Sequence, residues 1–484
     1  MTQQRVRAGG LVRIASWLLF AAIAIAPLPF GSYEGTAVAF WCMVLGVCLV
    51  IAPMRGLGAG RLALAGAAAI VVAAYGLVLH EQLAEHPWLA VATSASIWQE
   101  AQQASGMTLS PSVSIARNQP WFELGRPLVC VLAIACGFLV GTDDGRARQL
   151  IKVIAWSGGA YAAYGILAYF FDPTHILWRD KQAYLGSVTG TFINRNTAAA
   201  YFGSCAIVWS LLLWQRVRRE MPRPLVWKAI PERLFSAAPK GIIIASAMLL
   251  LCLVALFMTG SRGATVLSLL ALIVAFIAYF RRDLPRWSGL VTALAASGAV
   301  ALILLQLIGG SVNARFNTQG LADEGRLETY RATLRMIAAH PWFGTGQGTF
   351  AYAFPAYRST NVSVWGVWDK AHNTLLEIAA DMGVPIAALI VIVWIVIFAV
   401  LVRGTLVRQR GLIVPVAALA VAALAVLHSL IDFTLQIPGY SIVALSLIGA
   451  GLARSFPGDR SQKSLDSMLP RSGVVPKSVG STIS

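Results

Sequence analysis

Charge is what this 484-residue chain has least of. Asp, Glu, Lys and Arg together make up 12%, against 57% hydrophobic residues, and the mean hydropathy is +0.70. A soluble globular chain carries about 25% charged residues. A deficit of this size, with many long apolar runs, excludes an ordinary soluble domain and indicates an integral membrane protein. Acids are scarcer than bases, 21 Asp and Glu against 38 Lys and Arg. In a soluble protein that excess would suggest a nucleic-acid surface; in a membrane chain the position of the charges has to be read first.

Other absences narrow the chemistry. Cys42, Cys48, Cys130, Cys136, Cys205 and Cys252 all lie inside apolar runs and none forms CxxC. They read as small buried hydrophobes, without a disulfide framework or zinc spacing. There is no HExxH and no His pair at helical spacing, so no metal-ligand pattern and no cofactor is expected. GTGQG at 344–348 lacks the GK[ST] of a P-loop and follows no predicted strand. No internal repeat of the transporter kind stands out. The first apolar run is followed closely by a second and reads as a retained helix, not a cleaved signal.

A hydrocarbon core of ~30 Å needs about 20 apolar residues per helix. Twelve candidate spans meet that need: 11–30, 35–53, 62–80, 124–141, 149–171, 197–215, 241–258, 264–280, 289–308, 383–402, 412–431 and 437–453. With the N-terminus inside, most basic residues fall in the inside segments, including Arg216, Arg218 and Arg219, Arg281 and Arg282, and Arg403 and Arg408. The longer outside segments hold the minority, so the positive surplus reports topology, not nucleic acid. The expected fold is therefore all-α and integral to the membrane. It has about twelve transmembrane helices, both termini in the cytoplasm, and a large outside loop, 309–382, between helices 9 and 10. That loop is too long for a bare connection. Leu327, Tyr330, Leu334 and Ile337 recur at helical spacing, which predicts an amphipathic helix with Arg331 and Arg335 on its other face. The expected domains are a membrane domain, 1–456, and a disordered cytoplasmic tail, 457–484, polar and scattered with Ser, Pro and Gly.

Four polar clusters fall on the outside face. GTFINRNTAAAY (190–201) places Arg195 between Asn194 and Asn196. MTGSRGAT (258–265) places Arg262 at the tip of a tight helical hairpin, where Ser261 can cap the next helix. The stretch 325–350 offers Arg326, Arg331 and Arg335 ahead of the Gly-rich turn. WDKAHNTLLE (368–377) sets His372 and Asn373 before Thr374 and Glu377, a T-x-x-E capping box that starts a helix near Thr374. Taken alone, Arg262 reads equally as an interfacial anchor, and the other three clusters read better as an interfacial anchor, a solvated helix and turn, and a satisfied loop histidine. Together, Arg forks and a helix start suit phosphate. The residues thus point to a site for a phosphorylated, lipid-linked substrate, with His372 as the acid–base candidate. Asp143 and Asp144 fall on the inside, away from it.

HPWFGTGQGTF, followed by AHNTLLEIAADMGVP and supported by TGSRGA and HSLIDFTLQIPG (428–439), resembles the signature region of the O-antigen ligase and polysaccharide polymerase superfamily, over about 190–450. That resemblance implies a bacterial inner-membrane glycosyltransferase with a periplasmic active site. It implies transfer of a glycan from undecaprenyl diphosphate to a lipid A–core acceptor, with inversion and without metal or nucleotide sugar. Carried over by motif, the catalytic residues are His372, Arg262 and Arg195. Arg326, Arg331, Arg335, Asn373, Asn196 and Ser261 are substrate-binding candidates, and His428 and Asp432 are supporting. The expected partners are the donor, the acceptor and membrane lipids, with no nucleic acid. The rivals are a repeat-unit polymerase, a protein O-oligosaccharyltransferase and, more distantly, a small-anion transporter.

Overall fold

A computed structural model of the chain describes residues 2–52, 57–89, 95–220, 239–283, 324–360, 362, 368–408 and 411–456. The expected ninth span, 289–308, the first part of the large loop and the tail after 457 lie outside the described residues.

The described chain is helical almost throughout. In order it runs α1 (Thr2–Ile25), α2 (Gly35–Ile51), α3 (Ala59–Leu83), α4 (Ala95–Ser105), α5 (Gln119–Glu123), α6 (Gly125–Gly141), α7 (Asp144–Phe171), α8 (Arg195–Glu220), α9 (Lys240–Met258) and α10 (Arg262–Phe280). It continues with α11 (Glu324–Ala339), α12 (Phe350–Tyr357), α13 (Thr374–Met382), α14 (Val384–Val407), α15 (Ile413–Ser429) and α16 (Pro438–Ser455). One two-residue hairpin, β1 (His175–Ile176) with β2 (Arg179–Asp180), pairs antiparallel between α7 and α8. Seven of the described helices are long and apolar enough to cross a membrane, and three shorter apolar helices accompany them. This is a multi-pass helical membrane protein.

Burial orders the bundle. The apolar window of α8 is 89% buried inside the protein, whereas those of α3 and α14 are only 11% and 22% buried. Central α8 is rich in small residues, among them Ala198, Ala199, Ala200, Gly203 and Ser204, all buried. In lipid, helices gain little from apolar contact alone and associate through close backbone approach. The α6–α16 pair works this way: a Cβ built on Gly137 would lie 2.1 Å from the Ser446 carbonyl oxygen, and one on Gly449 would lie 2.1 Å from that of Ile134.

Between α13 and α14 the chain does not run as one helix. Gly383, at φ 88°, breaks it and packs on the Trp342 carbonyl. The helix expected around 327–337 is present as α11, but it lies on another face. Thr329, Ala332, Thr333 and Met336 are buried, while Leu327 and Leu334 stand exposed. The small and hydroxyl residues win because α11 packs closely on α12 and α13, where Thr329 and Thr333 satisfy their hydroxyls on carbonyls one turn back.

The two ends of the bundle are defined by their contacts. At one end, Val188 N–H donates to Met258 O at 2.9 Å, the Thr191 hydroxyl to Pro27 O at 2.6 Å, and Tyr33 to Asp369 at 3.3 Å. This end gathers the four polar clusters. At the other end Arg454 pairs with Asp144 at 2.8 Å, Arg218 pairs with Asp283 at 2.7 Å, and Arg61 reaches Ala453 O.

Candidate functional site

Three helix N-termini meet at the first end. Asn194 begins α8 by accepting from Asn196 N at 2.7 Å and from Thr197 N at 3.4 Å, which leaves Arg195 as the first helical residue. Ser261 precedes α10, so Arg262 is its first residue. The Ser261 hydroxyl does not cap: it donates to Asn196 Oδ1 at 2.9 Å, tying the two starts together. Asn373, not Thr374, caps α13, accepting from Leu376 N at 3.1 Å. The expected box is corrected accordingly. Thr374 turns its hydroxyl to Asp432 O at 3.2 Å, and Glu377 reaches back past the cap to Ala371 N at 2.9 Å and Lys370 Nζ at 3.1 Å.

The turn after α15 joins these starts. Asp432, 1% exposed, accepts from Asn196 Nδ2 at 2.6 Å and pairs with Arg326 at 3.6 Å. Arg326 also donates to Ile431 O at 2.6 Å, and Asn373 Nδ2 donates to Leu430 O at 2.9 Å. A buried carboxylate is tolerated only when paired and hydrogen-bonded, and Asp432 is both. Asn196, Ser261, Asn373 and Arg326 therefore converge, and with them the chain positions of Arg195 and Arg262. The Arg195 guanidinium lies over the Tyr184 ring, 4.6 Å from its centroid. Arg331 and Arg335 point elsewhere. Both are exposed; Arg331 pairs with Glu328 on its own helix, and Arg335 donates to Tyr357 O at 2.8 Å.

His372 is held in an unusual posture. Its φ is +54°, a left-handed position that a non-glycine residue rarely takes and that persists only when its surroundings enforce it. Those surroundings are explicit. Glu377 grips the preceding N–H, Tyr330 donates its hydroxyl to His372 O at 3.0 Å, and Asn373 is fixed as a cap. The ring sits between Trp368 and Phe433, with centroids at 6.0 and 5.3 Å. Its Nδ1 is buried and makes no hydrogen bond within the protein. Burial lowers the imidazole below its usual range; Asp432 opposes this and Arg326 adds to it. Burial thus favours the neutral ring. A buried imidazole nitrogen ordinarily finds a partner, which makes the bare Nδ1 of His372 notable.

Beside the site the Gly-rich turn is structural. Gly348 N donates to Asp381 Oδ2 at 2.8 Å, Gly346 N to Asp381 O at 3.0 Å, and Gln347 N to Gln82 Oε1 at 2.9 Å. Burial, then neighbouring Glu377, pushes Asp381 up from the ordinary carboxylate range, while Lys370 and the Gly348 N–H oppose this. Burial works against Lys370, but Glu377 beside it outweighs that and leaves it raised and charged. Among the described residues no three His, Cys, Asp or Glu side chains gather as a metal site requires. His428 is buried, with Nδ1 2.8 Å from the Thr434 hydroxyl, and braces the Asp432 turn.

Sequence reasoning missed two contributions. Tyr330, expected on an apolar face, instead fixes the His372 backbone. Tyr184 carries Arg195, and nothing in its local sequence marks it. Asp432 carried a signal, as a lone acid beside apolar spans is a functional or supporting residue by default.

The fold and this junction define a class: a polytopic membrane protein with a cationic polar site at one end of its bundle. Residues 247–391 match the family model described as O-antigen ligase, which supports an O-antigen ligase-like superfamily. The matched segment contains Arg262, Arg326 and His372; Arg195 and Asp432 lie outside it. No curated protein matches the chain.

Proposed function

We propose that the chain is an inverting, metal-independent glycosyltransferase of the O-antigen ligase type. It transfers a glycan from undecaprenyl diphosphate to a lipid A–core acceptor on the periplasmic face of the inner membrane. The observation that carries this reading is the pairing of two helix starts, each with Arg as its first residue and linked through Asn196 and Ser261. Helix N-termini carry partial positive charge, and two such starts side by side, each opening on an Arg, make a cationic locus suited to an anion. A diphosphate is that anion. The ligase-family match supports a lipid-linked donor and a lipid acceptor in general terms.

In the proposed reaction an acceptor hydroxyl attacks the donor's anomeric carbon from the face opposite the diphosphate. The new C–O bond forms as the carbon–oxygen bond to the diphosphate breaks, and the lipid diphosphate leaves with the electron pair. Arg195 and Arg262 stabilise the charge developing on it. His372 Nδ1 takes the acceptor's proton. Asn196, Ser261, Asn373, Arg326 and Asp432 hold these groups in register, while Arg331 and Arg335 stand further out, where a glycan chain would pass.

The test is transfer by the purified protein from a lipid-linked donor to lipid A–core, with chelator present. Transfer with inverted configuration is expected. Loss on chelation, or full activity of His372→Ala, overturns the metal-free or the His372 assignment respectively. In a deletion strain, polymer left on its lipid carrier is expected; failure to make polymer would assign the chain to repeat-unit polymerisation.

A further inference from the structure

A cavity of about 830 Å³ opens at the site end between α1, α2 and the β1–β2 hairpin. Its walls mix aromatic and charged side chains: Phe30, Phe40 and Trp178 with Glu34, Arg179 and Asp180. We infer that this cavity is a saccharide subsite, in which Trp178 stacks on a sugar ring while Glu34 and Asp180 accept its hydroxyls. The assignment rests on the glycosyl-transfer reading for its substrate class.

The chemistry favours a sugar. Its volume lies within the roughly 300–1,000 Å³ of small-ligand pockets. A pocket for an acyl or isoprenoid tail gains nothing from three ionisable side chains, which would have to be desolvated. A sugar ring offers an apolar C–H face to an aromatic ring and hydroxyl donors at its edge to carboxylate acceptors. Trp178 is 76% exposed and meets Phe30 edge-on at 5.2 Å. Arg179 joins Glu34 at 3.0 Å across the cavity, with both side chains at least half exposed. A pair so open to water contributes little on its own and exchanges readily for hydroxyl contacts.

The cavity is built, not incidental. Phe30, Gly31 and Ser32 sit consecutively at φ 53°, 71° and 55°, all left-handed. The turn is pinned by the Ser32 hydroxyl on Ala26 O at 2.6 Å and by Trp41 Nε1 on Ser32 Oγ at 2.7 Å. Strain of this kind is retained where the position of a side chain matters, and here it sets Phe30 in the wall. The cavity also shares structure with the phosphate-binding end. Gly31 packs on Phe192, two residues ahead of Asn194, and Tyr184, four residues on from Asp180, carries the Arg195 guanidinium. One loop thus serves both.

Saturation-transfer NMR on the full chain in nanodiscs, probed with free maltose, lactose and chitobiose, tests this. Transfer to ring protons of at least one is expected. It should weaken roughly three- to tenfold in Trp178→Ala and in Glu34→Gln/Asp180→Asn, and persist in Trp178→Phe. It should be unchanged in Arg262→Ala, which separates this site from the reaction. If the chain transfers no glycan yet binds sugar through Trp178, only the proposed function fails. Absence of transfer from all three sugars, or equal transfer in Trp178→Ala, overturns the subsite. Trp178-dependent transfer confined to the isoprenoid protons of farnesyl phosphate overturns it too, in favour of a lipid tail.

Discussion

The two ends of the same helices treat arginine in opposite ways. At the far end Arg218 and Arg454 lie in last turns, and Arg281 and Arg408 are C-caps. At these C-termini the dipole is negative, and the guanidinium groups donate to carbonyls or pair with acids: Arg281 to Arg408 O at 3.1 Å, Arg408 to Phe456 O at 3.3 Å. At the site end Arg195 and Arg262 begin α8 and α10, where the dipole is positive and each cation is disfavoured by about 0.3–1 kcal/mol. The far end is arginine used for anchoring and stability. At the site end Arg195 and Arg262 open helices whose starts are tied together through Asn196 and Ser261. Lys240 and Arg61 also stand in first turns at the far end, so the site end is set apart by the junction that Asn196, Ser261 and Asp432 form, not by the dipole alone.

The largest break in this contrast is Asp432→Ala. It leaves Arg326 and Asn196 without their shared acceptor in a buried place, and losing one partner of such a pair costs about 3–5 kcal/mol. Glycosyl transfer should vanish and thermal unfolding should drop. An unchanged melting temperature would show that the junction is not held by Asp432.

Next comes a matched pair, Arg262→Lys against Arg218→Lys. Lys keeps the charge but loses the fork. Arg262→Lys should lower the transfer rate by roughly 10²-fold, the scale of one lost charge-stabilising donor, with stability nearly unchanged. Arg218→Lys should leave transfer intact and shift only stability. Equal effects on transfer would erase the distinction between the ends.

The pH profile sharpens the role of His372. Burial lowers its folded pKa, so the neutral, proton-accepting form persists through neutral pH. Transfer should fall only as pH drops through that lowered value, below the ordinary histidine range. Its contribution to stability is lost from the ordinary histidine pKa downward through the lowered value, because the unfolded imidazole binds its proton first. The residual activity of His372→Ala should lack this acid limb; a limb of the same shape would place the titration elsewhere.

Asp381 titrates in the opposite sense. Burial raises its folded pKa, so its contribution is complete below the unfolded carboxylate pKa and is lost as pH rises through the folded value. Thermal scans should show stability falling as pH rises above the ordinary carboxylate range in the parent and less so in Asp381→Asn. The smallest effect belongs to Asn373→Ala, which removes the α13 cap and should cost about 1 kcal/mol, with a modest rise in KM.

Much of this was legible in the chain. The apolar runs of about twenty residues announced the helices, and the described helices overlap every expected span except 289–308. Arg195, Arg262 and His372 were legible because a polar residue at a helix mouth interrupts an apolar pattern. Where sequence reasoning failed, tertiary contact overrode a local rule. Leu327 and Leu334 carry the helical period of an apolar face, yet α11 buries Thr329 and Thr333 because its neighbours approach too closely for leucine. Thr374 fits a capping box, yet Asn373 caps, because Asp432 O claims the Thr374 hydroxyl from another helix pair.

The sequence by itself determined that this is a helical membrane protein whose charges sit at the ends of its spans, since hydrocarbon excludes unpaired charge and requires every backbone group to be satisfied within a helix. Only the tertiary structure decided which of those charges meet. Arg195, Arg262, Arg326 and His372 are separated by tens to more than a hundred positions, and helical period carries no information across such distances. Their convergence depends on Asn196, Ser261 and the Asp432 turn, whose hydrogen bonds exist only once α8, α10, α13 and α15 have packed side by side.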